Sequence, residues 1–165
     1  MKDLERVYKD NFIKVYRYIL SVSGDEHLAE EITQETFYRA LRTTKEFRGD
    51  CELSTWLCTI ARNLLINQVQ RQQRAGVAVD ELKRRGSDGS SAETEMILRE
   101  TGNRIRQVIS EMEEPYGEVL ALRLYSELPF AEIGKMFGKG DSWARVTYHR
   151  ARMKAKEELK DENQM

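Results

Sequence analysis

The sequence has few prolines, cysteines and histidines, and each scarcity narrows the classes to which the protein can belong. Only two prolines occur in 165 residues, while 33% of the residues are charged and 40% hydrophobic. This composition suits a mostly helical protein whose helices each carry one apolar stripe. Cys51 and Cys58 fit neither a CxxC motif nor a zinc-ligand spacing, and only His27 and His149 could join them. We interpret both cysteines as packed, reduced thiols, with an unrecognised redox role as the alternative.

Long apolar segments are also missing. No apolar run approaches the roughly 20 residues that a membrane-spanning helix needs. The first five residues, Met1 to Glu5, contain no apolar signal core. We therefore expect a cytoplasmic protein that does not insert into a membrane.

Motifs for catalysis are absent as well. The sequence contains no phosphate-binding glycine loop, no metal-ligand spacing and no convincing pair of nucleophile and base. We expect a protein that acts by binding, without a cofactor or a metal, and that is not an enzyme.

Charge is unevenly distributed along the chain. The formal net charge of −1 argues against a simple basic DNA-binding protein. However, residues 25–46 carry six acids against three bases, whereas residues 62–74 carry three arginines and no acid, and residues 145–156 carry five basic residues and no acid. An acidic segment beside two basic segments indicates a protein partner and a nucleic acid together.

Hydrophobic periodicity predicts an all-α fold. In the second predicted helix, Phe37 and Leu41 widen the apolar stripe, and we expect Asp25, Ser54 and Asp141 to be helix N-caps. The predicted helices cover residues 4–20, 25–45, 55–73, 93–112, 115–126, 130–137 and 142–160. The last two, a short helix that Gly138 ends and a longer basic helix, have the outline of a helix-turn-helix.

Composition changes sharply in the middle of the chain. Residues 76–92 contain three glycines and three serines with no usable hydrophobic period, which is typical of a flexible linker. The sequence thus predicts two small helical domains, at residues 1–75 and 93–165, with the linker at 76–92.

The final helix has the pattern of a recognition helix. Ala144, Tyr148, Ala151 and Ala155 form an inward stripe, and the opposite side carries basic residues that can reach base edges and phosphates. A solvated basic face is the alternative. Residues 128–138 and 148–152 resemble the promoter −35-binding domain of extracytoplasmic-function (ECF) sigma factors. The resemblance implies that the final helix enters the major groove. The candidate −35 contacts are Ser142, Arg145, Val146, His149, Arg150 and Arg152.

A second segment, residues 28–41, resembles the part of the same family that binds the clamp helices of the polymerase largest subunit. It includes the run Ala29 to Ala40 with sequence AEEITQETFYRA. By position, the resemblance implies that Glu31, Gln34, Glu35 and Tyr38 contact the polymerase. A solvated surface is the alternative for this mixed polar face.

The −10 segment of the family is matched by residues 47–50 and 54–63. Strand opening requires a pocket for an extruded base and polar groups that read its edge. The amides and arginines here suit base edges and phosphates, while a packing role is a strong alternative for Trp56. The candidate −10 contacts are Phe47, Trp56, Thr59, Arg62, Asn63, Asn67, Gln70 and Arg71.

Together, the motifs of both halves identify the chain as resembling an ECF sigma factor. The resemblance implies three partners: core RNA polymerase, through its clamp and flap, promoter DNA and an anti-sigma factor. Two alternatives belong to other classes, namely a stand-alone helix-turn-helix regulator and an interaction module that occupies the clamp without reading promoters.

Overall fold

The computed structural model describes residues 2–43, 52–76 and 93–163, and within these ranges the chain forms helices and no strand. The all-α prediction is confirmed. In chain order the helices are α1 (Lys2–Ser23), α2 (Glu26–Arg42), α3 (Leu53–Arg74), α4 (Glu93–Glu111), α5 (Tyr116–Leu124), α6 (Phe130–Met136) and α7 (Asp141–Asn163). None of the helices in these described ranges is both long and apolar enough to cross a membrane.

The N-terminal domain consists of α1, α2 and α3, which pack against one another in all three pairs. Val15 and Ile19 of α1, Ile32 of α2, and Leu57 and Ala61 of α3 are buried in its core. The apolar stripes that the sequence shows therefore do face one another, because burying them removes apolar surface from water.

The C-terminal domain consists of α4 to α7. Ile109, Val119, Leu122 and Ile133 are buried at its centre, and Ala144 and Ala151 of α7 are fully buried against them. α6 and α7 form the predicted helix-turn-helix, with a turn that includes Gly138 in a left-handed conformation (φ +69°).

The turn also brings the backbone of Gly140 against α6 at Gly134. A Cβ atom at Gly134 would overlap the carbonyl oxygen of Gly140. This close approach sets the position of α7 relative to α6, so a side chain at position 134 is incompatible with the turn.

The predicted N-caps have mixed outcomes. Asp25 is confirmed, because its Oδ1 accepts hydrogen bonds from the backbone N–H groups of His27 (3.0 Å) and Leu28 (3.2 Å). The prediction for Ser54 is wrong, because α3 already begins at Leu53 and Ser54 is buried inside the helix.

The prediction that Asp141 is an N-cap is also wrong. The carbonyl of Gly140 accepts the first helical bond, from the Ala144 N–H, so Asp141 is the first residue of α7 rather than its cap. Its acidic side chain still suits the positive end of the helix dipole.

Leu41 departs from the predicted stripe of α2. Its side chain is 70% exposed, whereas Phe37 is buried and contacts the rings of Tyr8 and Phe12. Leu41 lies in the last turn of α2, next to the buried Ala40. The predicted linker, residues 76–92, lies outside the described residues except for Gly76.

The two domains contact each other. α1 packs against α4 and α5, and α3 packs against α6. One face of the N-terminal domain is therefore covered by the C-terminal domain.

Candidate polymerase and nucleic-acid interfaces

The outer face of α2 carries the four residues that the sequence assigns to polymerase binding. Glu31, Gln34, Glu35 and Tyr38 are all exposed, and Tyr38 has 56% of its surface accessible. They lie on one side of the helix because their spacing of three and four residues matches the helical turn. We call this set the α2 face.

Two basic side chains hold parts of the α2 face in place. Arg39 donates from Nε to Oε1 of Glu35 (3.0 Å), and the guanidinium of Arg42 lies 5.5 Å from the ring centre of Tyr38. Both contacts are at the surface and contribute little to stability. The face thus offers carboxylates, an amide and an aromatic ring to a partner.

The outer face of α7 carries the predicted −35 contacts, and we call it the α7 face. All of its residues are exposed, with Val146 at 48%. They are Ser142, Arg145, Val146, His149, Arg150 and Arg152. The side chain of Arg145 donates from Nε to Oδ1 of Asp141 (2.8 Å), and this hydrogen bond raises the pKa of the guanidinium.

The opposite side of α7 fixes the orientation of the α7 face. Ala144 and Ala151 are fully buried, and the ring of Tyr148 lies 5.4 Å from that of Phe130 in α6. The guanidinium of Arg123 stacks over Phe130 at 4.2 Å from the ring centre. A recognition helix needs such a rigid inner seam, since its outer side chains must reach the groove together.

The predicted −10 contacts on α3 fall into two groups. Asn63, Asn67, Gln70 and Arg71 are exposed. In contrast, Trp56, Thr59 and Arg62 are partly buried. The Thr59 hydroxyl donates to the carbonyl of Thr55 (2.8 Å), one turn earlier in α3. Phe47 lies outside the described residues.

A surface pocket of about 440 Å³ lies between the end of α2 and the start of α3. Its volume falls within the range of small-molecule sites and is large enough for a nucleobase. The pocket is lined by Arg39, Arg42, Thr43, Trp56, Ile60 and Asn63.

The pocket joins two predicted −10 contacts, Trp56 and Asn63, with residues that sequence reasoning missed. Arg39 and Arg42 were missed because the resemblance for α2 concerns only its polymerase-binding side. Their position in the sequence does indicate a role at −10, because both arginines lie in the last turn of α2, immediately before the turn that matches the −10 segment. An aromatic ring, an amide and two cations together can stack on a base, read its edge and bind its phosphate.

Arg62 points away from this pocket. Its Nε donates to Oε1 of Glu118 in α5 (3.2 Å), and its guanidinium lies 4.4 Å from the ring centre of Phe137. The structure therefore brings Arg62 to the C-terminal domain, where it pairs with Glu118.

Cys58 is fully buried in α3, and burial raises the pKa of its thiol to about 11. A thiol with this pKa is protonated at neutral pH and is a poor nucleophile and metal ligand. No cluster of histidine, cysteine and acidic residues that could hold a metal ion occurs within residues 2–43, 52–76 and 93–163. Cys51 lies outside the described residues.

Comparisons with known proteins agree with both halves of the chain. Residues 7–75 match the family Sigma-70 region 2, and residues 102–154 match Sigma-70, region 4. The chain is similar to the ECF RNA polymerase sigma factor SigW of Bacillus subtilis, with 30% identity over 168 residues that cover 96% of this chain and 88% of SigW. It is 27% identical to the ECF sigma factor SigM of the same organism, over 93% of each chain.

A solved structure shares the fold of nearly the whole chain. It is the sigma factor RpoE in complex with the anti-sigma factor NepR from Bartonella quintana, with a TM-score of 0.74, 19% identity, and coverage of 97% of this chain and 98% of that one. With a relative at 30% identity along almost its full length and both sigma regions in order, this chain belongs to the ECF family of RNA polymerase sigma factors.

Proposed function

We propose that this sigma factor uses three separate surfaces to direct core RNA polymerase to specific promoters. The α2 face binds the polymerase clamp, α3 with its neighbouring pocket opens and reads the −10 element, and the α7 face docks at the −35 element. The observation that carries the proposal is the chemistry of these faces. One is acidic and aromatic, one combines amides with arginines, and one is basic.

The α2 face supplies orientation and speed of association more than strength. Glu31 and Glu35 can pair with basic residues on the clamp, and Tyr38 offers a large, exposed contact surface. Complementary charges steer the encounter and exclude wrong partners. Because polymerase adds its own contacts to DNA, the sigma factor needs no large positive charge, which agrees with its net charge of −1.

Strand opening at −10 rests on the pocket between α2 and α3. A base that leaves the stack can lie against Trp56 while the Asn63 amide bonds to its edge. Base–aromatic stacking is worth about 1–3 kcal/mol per base, comparable to the cost of unpairing it. Asn67, Gln70 and Arg71 continue along the exposed side of α3 and can follow the strand.

The domain limits that we propose are residues 1–75 and 93–165, with residues 76–92 between them. The protein acts in the cytoplasm by binding alone, without catalysis and without a cofactor. We also propose control by an anti-sigma factor, since the structural relative with this fold was solved with such a partner.

In vitro run-off transcription with core polymerase and genomic DNA fragments tests the function. We expect discrete transcripts that require the sigma factor. A gel shift without polymerase separates this function from that of a stand-alone regulator, since the free chain should bind duplex promoter DNA weakly. Absence of any transcript, or tight binding without polymerase, would contradict the proposal.

A further inference from the structure

The contact between the two domains includes charged and hydrogen-bonded side chains. At its centre, the carboxylate of Glu118 in α5 accepts hydrogen bonds from the Tyr18 hydroxyl of α1 (3.0 Å) and from Arg62 of α3 (3.2 and 3.4 Å). Glu118 is only 8% exposed and Tyr18 is fully buried. Both of these hydrogen-bond partners of Glu118 belong to the N-terminal domain, so this buried acid serves the contact and not its own domain.

A second acid of the C-terminal domain binds the start of α3. Glu132 of α6 accepts a hydrogen bond from the backbone N–H of Glu52 (3.0 Å) and another from the hydroxyl of Thr55. The residue at the N-cap position, Glu52, makes no side-chain capping bond of its own. Glu132 therefore supplies from the other domain the anionic partner that a helix N-terminus favours.

Further contacts extend the same surface. The Ser126 hydroxyl donates to the carbonyl of Lys14 in α1 (3.0 Å), and Phe137 covers the guanidinium of Arg62. Four helices thus take part, and each hydrogen bond joins residues that lie at least 56 positions apart in the sequence.

The contact covers α3 selectively. Arg62 is engaged, and the start of α3 is bound, whereas the α2 face and the α7 face both remain exposed. In this arrangement the clamp-binding and −35 residues are accessible, and so are Asn63 and Asn67 of α3. Arg62, however, is paired with a buried acid of the other domain.

The arrangement is also incompatible with an engaged promoter. The −10 and −35 elements are separated by about 25 base pairs, or about 85 Å at 3.4 Å per base pair. Domains that exchange hydrogen bonds cannot occupy both elements of an extended duplex at once. The contact must break before the promoter is bound.

We propose that Glu118 and Glu132 form an intramolecular latch that holds the free sigma factor closed, occupying Arg62 and the start of α3 until the domains separate on core polymerase. The proposal rests on the proposed function of α3. The latch permits docking of the α2 face on the clamp and withholds Arg62 from the −10 strand. A hydrogen bond to a charged group is worth about 1.5–3 kcal/mol, so losing the Arg62 pair should shift the closed-to-open ratio by roughly tenfold to one hundredfold.

Charge reversal with rescue tests the latch in the full chain. Small-angle X-ray scattering should give a smaller radius of gyration for wild type than for Glu118→Arg or for Arg62→Glu, while the double variant should return to the compact value. Glu113→Arg, an exposed acid just before α5, is the matched control and should behave as wild type. Circular dichroism shows whether each variant keeps its helices. A wild type as extended as the single variants, or a double variant that stays extended, would overturn the latch.

A second arm tests the gating of α3. Glu118→Gln keeps Arg62 intact, and it should bind a single-stranded −10 oligonucleotide from a promoter found by run-off transcription about tenfold more tightly than wild type does. Core polymerase binding should be unchanged, since the α2 face is already exposed. Equal oligonucleotide affinity in both proteins would overturn the gating. The scattering experiment measures closure without polymerase or DNA. Failure of the latch therefore appears in scattering, and failure of the sigma function appears in run-off transcription.

Discussion

The two helices assigned to DNA differ in how much of their outer surface the free chain exposes. Every predicted contact on α7 is exposed, whereas α3 has Arg62 paired with Glu118 and its first turn bound by Glu132. The difference matches the state of the DNA that each helix would meet. The proposed −35 contact is with duplex DNA, whereas the bases of the −10 strand must leave the duplex before they can be read.

The two helices also differ in what holds their outer faces in place. On α7, the inner seam of Ala144, Tyr148 and Ala151 packs within the C-terminal domain, and this packing alone holds the outer face in place. On α3, part of the outer face is held by the other domain. The proposed −35 contacts of α7 are thus accessible in the free protein, whereas Arg62 of α3 becomes available only after the domain contacts change.

The largest expected effect is on polymerase binding, on which both proposed DNA contacts depend. Glu35→Lys should weaken binding to core polymerase by about a hundredfold or more, because it puts a like charge against a basic partner and breaks the pair with Arg39. Fluorescence anisotropy with labelled sigma factor measures the affinity. Glu26→Lys, an exposed acid on another side of α2, is the control and should bind nearly normally. Unchanged affinity of Glu35→Lys would remove the clamp assignment.

The next effect concerns the α7 side of the comparison alone. Gly134→Ala should destabilise the C-terminal domain by about 1–3 kcal/mol, because the new methyl group overlaps the Gly140 carbonyl and forces α6 and α7 apart. Urea unfolding followed by circular dichroism measures the loss. Gly102→Ala is a suitable control, since a Cβ at Gly102 meets no atom within 4 Å. Equal stability of Gly134→Ala and wild type would show that the turn has room for a side chain.

The smallest effect concerns pH and the buried groups of α1 and α3. Burial raises the pKa of the Cys58 thiol from 9.0 to about 11, and burial together with Glu118 raises the pKa of Tyr18 well above its ordinary value. A group whose folded-state pKa is raised contributes stability that is complete below its unfolded pKa and is lost as pH rises toward the folded pKa. The free energy of unfolding should therefore be insensitive to Cys58 up to pH 8 and should fall between pH 9 and 11.

Chemical denaturation at pH 8 and pH 10 measures this fall. Cys58→Ala should lose less stability over that interval than wild type, by about 1 kcal/mol, since one pKa unit corresponds to about 1.4 kcal/mol. Identical losses in both proteins would show that the thiol is not buried as the structure has it.

Much of the fold follows from local sequence patterns. The apolar spacing predicts the helices to within a few residues, and Gly138 correctly ends the short helix before the recognition helix. The α7 face is predictable for the same reason: its inner and outer sides differ in polarity at helical spacing. The clamp and −10 assignments depend on resemblance, since polar residues on a helix do not by themselves name a partner.

The features that sequence patterns do not predict depend on contacts between distant residues. Ser54 looks like an N-cap, but Glu132, about 80 residues later, binds the start of α3 instead. Arg62 looks like a phosphate contact, yet in the free chain its partner is Glu118. Periodicity is local, so it contains no information about which acid of one domain meets which arginine of the other.

The central claim is that α3 reads the −10 element and α7 reads the −35 element. Combining sigma variants with promoter variants tests this claim most directly. Holoenzymes with wild-type sigma factor, Asn63→Ala or Arg145→Ala are assayed by run-off transcription on a native promoter and on versions with a scrambled −10 or −35 element. The account predicts that Arg145→Ala loses sensitivity to the −35 sequence only, and Asn63→Ala to the −10 sequence only, each worth about 1–3 kcal/mol of discrimination. Loss of sensitivity to the same element in both variants, or to neither element, would contradict it.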